Sequence, residues 1–247
     1  MRTTKVAAHV HSSWSYDGEW SLEDIARVFT RLGFDAVLMA EHDRGFDEGR
    51  WQEYQLACGA ASTSRTVLIP GIEYQDPDNV VHTIVWGEDV PFLGGSRPTL
   101  ETLRAAGEHE TAALMAHPWR RDAIDRFEPE WAPLLSATEI WNRKSDGIAP
   151  RAGANAFAQA HRLTPFVSLD FHSARQFFPL AMAMEVDGAV TTTAIVRSIR
   201  SGACRPTFAG MSALRFTEGP EGASMRAFEH ARRTLRTPLR KLRHGIA

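Results

Sequence analysis

Residues 5–13 read KVAAHVHSS, a short apolar run that ends in two histidines separated by one residue. The apolar run at residues 6–10 has the length and composition of a buried β-strand. Side chains alternate along an extended backbone, so His9 and His11 should face the same side and could hold one cation together. A single His-x-His motif arises easily by chance in a chain with ten histidines. Its meaning therefore depends on the rest of the chain.

Outward from this strand, short apolar runs alternate with helical patterns, which is typical of βα units around a parallel sheet or barrel. Ser21 and Asp24 form a capping box at the start of the first helix, and Gly33 ends it. The predicted strands are 6–10, 36–39, 67–69, 80–86, 112–115, 138–141 and 166–169. The predicted helices are 21–32, 49–64, one that opens at Thr99, 151–162 and 191–199.

The composition is that of an ordinary globular protein, with 247 residues, 43% hydrophobic and 23% charged. We expect one α/β domain over residues 1–215 and a basic tail over 216–247. The sequence has no signal peptide and no apolar run long enough to span a membrane, so we expect a cytoplasmic protein. With only Cys58 and Cys204, a metal site must use histidine and carboxylate ligands.

Charge is unevenly distributed along the chain. Residues 226–247 contain seven basic residues and one acidic residue, whereas the rest of the chain has an excess of acidic residues. An acidic body argues against a general nucleic-acid binder. Leu235, Leu239 and Leu242 are spaced as in an amphipathic helix. We expect this helix to dock on its own body or on a sister subunit in a homo-oligomer, and the alternative is a membrane or nucleic-acid surface.

Most of the histidines fall near the ends of predicted strands, whereas His109, His161, His230 and His244 fall on helices or the tail. The C-terminal ends of strands form the rim that holds active sites in parallel barrels. The residues at this rim are His9, His11, His42, Glu73, His117, Asp170 and His172, and His82 lies inside a predicted strand. Alone, Glu73 could cap a turn and Asp17 could be a turn residue, but the convergence predicts a site.

The order of these residues along the chain, and the motifs in which they occur, resemble those of the polymerase and histidinol phosphatase (PHP) metallohydrolases. The resemblance extends from the first strand to about residue 175. The motifs are His9-Val-His11-Ser with Asp17-Gly18, Glu41-His42-Asp43, Gly71-Ile72-Glu73 with His82 following, Ala116-His117-Pro118 and Asp170-Phe171-His172. One departure is Ala40-Glu41, where the family commonly has Thr-Asp. This difference concerns the support of His42 and leaves the ligand itself unchanged.

The resemblance implies a distorted seven-stranded (βα)7 barrel with up to three metal ions at the strand ends. His9, His11, Glu73 and Asp170 would hold the first metal. Glu73, His82 and His117 would hold the second, and Asp17, His42 and His172 would hold the third. Imidazoles and carboxylates without thiolates suit zinc, manganese or iron better than calcium or magnesium. Two or three divalent ions would then supply a hydroxide that attacks a phosphate ester.

We also expect roles for residues next to these ligands. Glu73 and His172 are the candidate catalytic residues, and Asp43 either orients a ligand, shuttles a proton or serves only its loop. Phosphate recognition commonly uses arginine. The candidates, each with a solvated loop role as the alternative, are Arg44, Arg120, Arg143 and Arg175.

The sequence therefore predicts a metal-dependent phosphoesterase that acts on a small phosphomonoester, such as a nucleotide or a sugar-like phosphate. A phosphodiesterase or exonuclease acting on oligonucleotide ends is the enzymatic alternative, which the basic tail could assist. A module that binds metal without turnover is the alternative from another class.

Overall fold

The computed structural model describes the backbone of residues 2–244 and the side chains of residues 2–235. The strands are β1 (Arg2–Val10), β2 (Ala36–Met39), β3 (Glu41–His42), β4 (Val67–Ile69), β5 (Gly71–Gln75), β6 (His82–Gly87), β7 (Thr111–Ala116), β8 (Ala137–Asn142), β9 (Thr164–Ser168), β10 (Leu180–Val186), β11 (Cys204–Phe208) and β12 (Met211–Ser212). The helices are α1 (Leu22–Arg31), α2 (Glu48–Ala61), α3 (Thr99–Gly107), α4 (Arg143–Asp146), α5 (Ala154–Ala160), α6 (Thr192–Arg200) and α7 (Gly219–His244).

The described strands form two six-stranded sheets, so the expected α/β class is confirmed. One sheet has the order β12-β11-β10-β1-β2-β4 and the other has the order β3-β5-β6-β7-β8-β9. A single residue separates β2 from β3, Ala40, and a single residue separates β4 from β5, Pro70. The chain therefore passes directly from one sheet into the other at two places. Proline has no amide hydrogen, which interrupts the ladder at Pro70.

The expected (βα)7 barrel is not confirmed, because the described strands form no closed barrel. Between β9 and β1 the only bridge is the isolated pair Val10 and Phe171. The amide nitrogen of Phe171 donates to the carbonyl oxygen of His9 at 2.9 Å, and that of His11 donates to the carbonyl of Phe171 at 2.8 Å. His9 and Asp170 have positive φ angles of 60° and 48°. These left-handed residues interrupt the extended backbone that a continuous ladder requires.

The sheets are also less parallel than the sequence pattern predicted. β5 pairs antiparallel with β6, and β6 pairs antiparallel with β7. β10 pairs antiparallel with both β1 and β11. Three of the strands that the prediction omitted, β5, β10 and β11, take part in these antiparallel pairs. Antiparallel neighbours need no crossover helix, so the βα pattern of the sequence could not reveal them.

The core between sheets and helices fixes the ends of the strands. The indole nitrogen of Trp86 donates to the carbonyl oxygen of Met39 at 2.7 Å, which ties β6 to the end of β2. Helix α1 buries Ile25 and Phe29 completely. Its N-cap, Ser21, accepts a hydrogen bond from the amide of Asp24, as the capping motif predicts. The strand ends that carry the functional residues therefore rest on a dry, packed core.

The C-terminal helix α7 packs on the turn after α4. Buried Glu229 lies against Gly147, and Arg233 Nη2 donates to the carbonyl oxygen of Ser145 at 3.1 Å. Leu235 is 65% exposed. Leu239 and Leu242 lie outside the described side chains, so the predicted apolar face stays a prediction, as does the boundary between a domain at 1–215 and a tail at 216–247. No described helix has both the length and the hydropathy to cross a bilayer.

We expect Gly147→Ala to destabilise the protein by about 1–3 kcal/mol, the usual cost of a residue held in a sparsely populated backbone region. Gly147 has φ 82° and ψ −134°, and an added Cβ would overlap the carboxylate of Glu229. Gly107→Ala is the matched control, because Gly107 ends α3 with open space around the position of a Cβ. Chemical denaturation of both variants tests this. Equal stability of the two variants would contradict it.

Candidate metal centre

The nine predicted ligand residues converge in one region. We call this set the histidine-carboxylate cluster, and its members are His9, His11, Asp17, His42, Glu73, His82, His117, Asp170 and His172. Seven of them are buried, and Asp17 and His42 are partly exposed at one side. Of the histidines predicted on helices or in the tail, His109 and His161 lie away from the cluster.

Glu73 stands at the centre of the cluster. Its Oε1 lies 2.8 Å from His82 Nδ1 and 2.9 Å from His117 Nε2. Its Oε2 lies 2.9 Å from His42 Nδ1 and 3.6 Å from His11 Nε2. A carboxylate that touches rings on both sides has the position required of a bridging ligand between two cations.

The local setting of Glu73 differs from the prediction. The sequence placed it just after a strand, but it lies inside β5, opposite His42 of β3 and Ile84 of β6. His82 is the first residue of β6 and occupies the rim rather than the middle of a strand. The antiparallel pairing of β5 with β6 brings both residues to the same end of the sheet.

Glu139 of β8 orients two cluster members, although the sequence analysis did not identify it. Its Oε1 lies 2.8 Å from His9 Nδ1, and its Oε2 accepts the amide hydrogen of His117 at 2.7 Å. Burial raises the pKa of Glu139, but the positive charge of His9 outweighs this effect and keeps the carboxyl group ionised. An ionised carboxylate only accepts, so His9 Nδ1 carries a hydrogen, and His9 Nε2 is the nitrogen that faces the cluster and would bind a metal ion.

Ser15 has the same effect on His11. The hydroxyl of Ser15 donates to Glu41 Oε2 at 2.5 Å, so its oxygen accepts from His11 Nδ1 at 3.3 Å and from the amide of His42 at 3.0 Å. Glu41 is fully buried and also accepts from the amide and hydroxyl of Ser12. The Ala-Glu departure from the family motif thus supplies an anchor for the loop that follows β1.

The ring nitrogens that face the interior fit metal ions. Among the described residues, His9 Nε2 and His11 Nε2 are buried without a hydrogen-bond partner. Three groups of side chains bring one ligand atom each within 4.8 Å of one another: His9 with Glu73 and His117, His9 with His11 and Asp170, and His11 with His42 and His172. An unpaired buried polar atom is costly unless a ligand satisfies it. The arrangement therefore suggests binding of divalent metal.

The charge of the cluster also favours a cation. Burial works to lower the pKa of His9, but the negative charge of Asp170 and of the other carboxylates raises it well above its ordinary value. The pKa of His42 rises to about 10 against the effect of burial, because His42 hydrogen-bonds to Asp17 and Glu73. Without metal, the carboxylates thus hold protons on neighbouring imidazoles, and a divalent cation would displace these protons.

Lys144 and Asn142 complete the side of the cluster around Asp170. Asn142 Nδ2 donates to Asp170 Oδ2 at 3.2 Å, and Lys144 Nζ lies 3.4 Å from Asp170 Oδ1. The ammonium group also lies 3.0 Å from His172 Nε2. Neither residue was predicted from the sequence, although both follow the predicted strand at 138–141 and thus fall on the predicted rim.

Backbone strain coincides with the cluster. His9, His117 and Asp170 all have positive φ angles, of 60°, 28° and 48°. Such conformations are costly for residues other than glycine and persist where function or packing demands them. His9 is the next-to-last residue of β1, His117 follows β7 and Asp170 lies two residues after β9, so the strained backbone coincides with the ends of these strands.

The remaining predicted residues lie at different distances from the cluster. Asp43 accepts backbone hydrogen bonds from Gln75 and Ser96, at 3.3 and 2.9 Å, so it fastens the loop beside β5. Burial raises the pKa of Asp43. Arg120 is the predicted arginine that approaches a cluster member, with Nη1 3.4 Å from His82 Nε2.

The other three predicted arginines contact aromatic rings or line a pocket. Arg44 lies over the ring of Tyr16 at 5.6 Å, and Tyr16 is 69% exposed and stacks on His42. Arg143 lies over the ring of Phe178 at 5.0 Å. Arg175 is exposed and lines a pocket together with Arg143.

We expect Glu139→Gln to weaken metal binding by about 10- to 100-fold, the usual effect of losing a residue that orients a ligand. Glutamine has one side-chain oxygen where glutamate has two. It therefore cannot accept hydrogen bonds from His9 Nδ1 and from the backbone amide of His117 through separate oxygens. Isothermal titration of the metal-free protein with Zn²⁺ measures the change. Glu130→Gln, at an exposed position, is the control. Equal affinities for the two variants would show that Glu139 has no such role.

No protein-family model matches the chain, and no curated protein matches it. Solved structures do match. A two-domain protein from Bacteroides vulgatus that contains a predicted PHP-like metal-dependent phosphoesterase superposes with a TM-score of 0.66 and 17% identity, over 84% of this chain and 65% of that one. PsfC from Pseudomonas syringae gives a TM-score of 0.63 and 16% identity, over 84% and 92% of the two chains.

The lesion-specific endonuclease EndoQ from Pyrococcus furiosus gives a TM-score of 0.56 and 15% identity, over 81% of this chain and 56% of that one. The present chain thus spans less than two thirds of the Bacteroides protein and of EndoQ. At these identities the similarity concerns the fold. The chain thus shares its fold with a structure described as containing a predicted PHP-like metal-dependent phosphoesterase, in agreement with the resemblance found in the sequence motifs.

Proposed function

We propose that the protein is a metal-dependent phosphoesterase that hydrolyses a small phosphomonoester, such as a nucleotide or a sugar-like phosphate. The observation that carries this proposal is the convergence of six imidazoles and three carboxylates, with Glu73 at the centre and with His9 Nε2 and His11 Nε2 buried without a hydrogen-bond partner. The PHP-like fold supports it. Substrate and metal identity are part of the proposal, as is the predicted cytoplasmic location.

The residues of the cluster fit two or three divalent ions of zinc, manganese or iron. His9, His11, Glu73 and Asp170 would hold one ion. A second set consists of Glu73, His82 and His117, and a third consists of Asp17, His42 and His172. Ions at these positions supply Lewis acidity, which polarises a phosphoryl group and lowers the pKa of water.

The protein's own residues orient these ligands and supply charge. Glu139 and Ser15 fix the ring orientation of His9 and His11. Arg120 and Lys144 lie beside different cluster members, His82 and His172, and place positive charge on both sides of the cluster. A phosphoryl group between them would have the negative charge of its equatorial oxygens neutralised during transfer. We assign the catalytic positions to Glu73 and His172, with Asp43 supporting the adjacent loop.

A panel of phosphate esters tests the proposal. Purified protein loaded with Mn²⁺, Zn²⁺ or Fe²⁺ should release phosphate from at least one small monoester, and a chelator should abolish the release. His117→Ala removes a cluster ligand. His161→Ala is the matched control, because the His161 ring contacts Phe127 and Phe157 instead of the cluster. Normal metal content without hydrolysis by the wild-type protein would favour the alternative of a non-catalytic metal-binding module.

The second candidate function is a phosphodiesterase or exonuclease acting on oligonucleotide ends. The basic side chains of α7 that lie beside α4 favour it, as does the shared fold with EndoQ. The acidic body of the chain argues against long nucleic acid as the main substrate. Faster hydrolysis of a short oligonucleotide than of free monophosphates, lost on removal of residues 226–247, would support this function instead.

A further inference from the structure

A basic pocket lies next to the histidine-carboxylate cluster. Its volume is about 350 Å³, and five of the side chains that line it are cationic: Arg143, Lys144, Arg175, Arg232 and Arg233. None of the described side chains that line it is acidic. The volume falls at the lower end of the range typical of small-molecule sites. In a chain whose body is acidic, such a concentration of positive charge selects anions.

The basic pocket and the cluster share structure. Lys144 lines the pocket, and its Nζ lies 3.0 Å from His172 Nε2 and 3.4 Å from Asp170 Oδ1. Gln176 also lines the pocket, and its Oε1 accepts from the amide of Ser173, directly after His172, at 2.9 Å. A molecule bound to His172 and Asp170 through one group can therefore extend past Lys144 into the basic pocket.

The arginines from α7 are held in place. Glu229 accepts from Arg232 Nε at 2.6 Å and from Arg233 Nε at 2.5 Å. Glu229 is only 5% exposed and lies against Gly147, so the helix cannot easily move away from the pocket. Burial raises the pKa of Glu229, but the two arginines outweigh it and lower that pKa to about 2. One carboxylate thus organises two guanidinium groups and leaves a surplus of positive charge in the pocket.

We propose that the basic pocket is a second anion subsite that binds a non-reacting phosphate of the substrate. This inference rests on the proposed function, and it narrows the substrate to small molecules that carry two phosphate groups, one at the metal centre and one in the pocket. Four of the five cations are arginine, whose planar fork matches the oxygens of phosphate. The second phosphate does not react, so its binding energy should appear chiefly in KM.

Two esters that differ only in the second phosphate test this proposal. Wild-type, metal-loaded protein should hydrolyse 1,3-propanediol bisphosphate with a kcat/KM at least about tenfold above that for 3-hydroxypropyl phosphate, the size expected for one charge-assisted hydrogen bond. The phosphate monoester of 3-hydroxypropanoate places a carboxylate at the same position, and a preference for it would show that the pocket selects carboxylate and contradict the assignment of phosphate.

Single substitutions test whether the preference for the bisphosphate depends on the basic pocket. Arg232→Gln and Arg175→Gln should each reduce the ratio of the two kcat/KM values by about tenfold, mainly through the KM of the bisphosphate. Arg205→Gln, at an exposed position on β11 next to Glu185, is the control and should keep the wild-type ratio. Equal hydrolysis of the two esters by the wild-type protein would overturn the subsite and leave the proposed function intact.

A binding measurement gives a readout that does not depend on activity. Metal-free protein titrated with pyrophosphate should bind it, and Arg232→Gln and Arg175→Gln should weaken the binding by about tenfold while Arg205→Gln does not. Pyrophosphate binding that is absent, or equal in all variants, would overturn the subsite. If pyrophosphate binding depends on these arginines but the protein hydrolyses no ester, the proposed function would be contradicted and the anion site would still be supported.

Discussion

Glu73→Gln should remove both metal binding and ester hydrolysis, with a fall of more than about 100-fold in metal affinity. The loss of a residue that only supports a ligand costs 10- to 100-fold, so the loss of the central carboxylate should cost more. Glu73 Oε1 lies within 2.9 Å of nitrogens of His82 and His117, and Oε2 lies 2.9 Å from His42. Glutamine would bring an amide group with no negative charge to this position.

Metal content after dialysis and phosphate release from the best monoester measure this effect. Glu101→Gln is the matched control, because Glu101 is exposed on α3 and pairs with Arg97. Circular dichroism of both variants distinguishes loss of the site from loss of the fold. A Glu73→Gln protein that retains metal and activity would contradict the central role given to this carboxylate.

Removal of metal should lower the thermal stability of the wild-type protein by about 5–10 °C. A ligand present at a hundredfold excess over its Kd stabilises by about 2.7 kcal/mol. In a domain of this size each kcal/mol corresponds to about 2–4 °C. The physical reason is the set of buried imidazoles and carboxylates around Glu73, whose charges and open Nε2 atoms a cation would satisfy.

Thermal unfolding before and after chelation, and again after Mn²⁺ or Zn²⁺ is restored, measures the shift. The Glu73→Gln protein should show little response to added metal, which separates specific binding from a general effect of salt. A wild-type protein whose melting temperature is the same with and without metal would show that the cluster does not bind metal tightly enough to support the proposed function.

Most of the ligand candidates could be grouped from the sequence because they lie beside short apolar runs. His9 and His11 end one such run, and Asp170 and His172 follow another. The strands at 36–39 and 67–69 coincide with β2 and β4, since both are short and fully apolar, and each follows a polar residue, Asp35 or Thr66. Local patterns of this kind need no knowledge of the pairing between strands.

Residues whose role depends on pairing were missed. Glu139 sits in the middle of the apolar-looking stretch ATEIWN, and only the approach of β1 to β8 shows that it faces His9. The strand at 180–186 was not predicted, yet β10 pairs along most of β1. Tyr16 and Lys144 follow strands as ordinary loop residues, and only the fold brings them to His42 and His172.

The backbone hydrogen bonds between β1 and the segment after β9 affect when the cluster can form during synthesis. Leu169 and Phe171 donate backbone hydrogen bonds to Ala8 and His9, residues more than 150 positions earlier in the chain. Contacts between such distant segments form slowly because a long loop must first be closed. During synthesis, the segment that contains His9 can therefore make these hydrogen bonds only after most of the polypeptide has emerged from the ribosome.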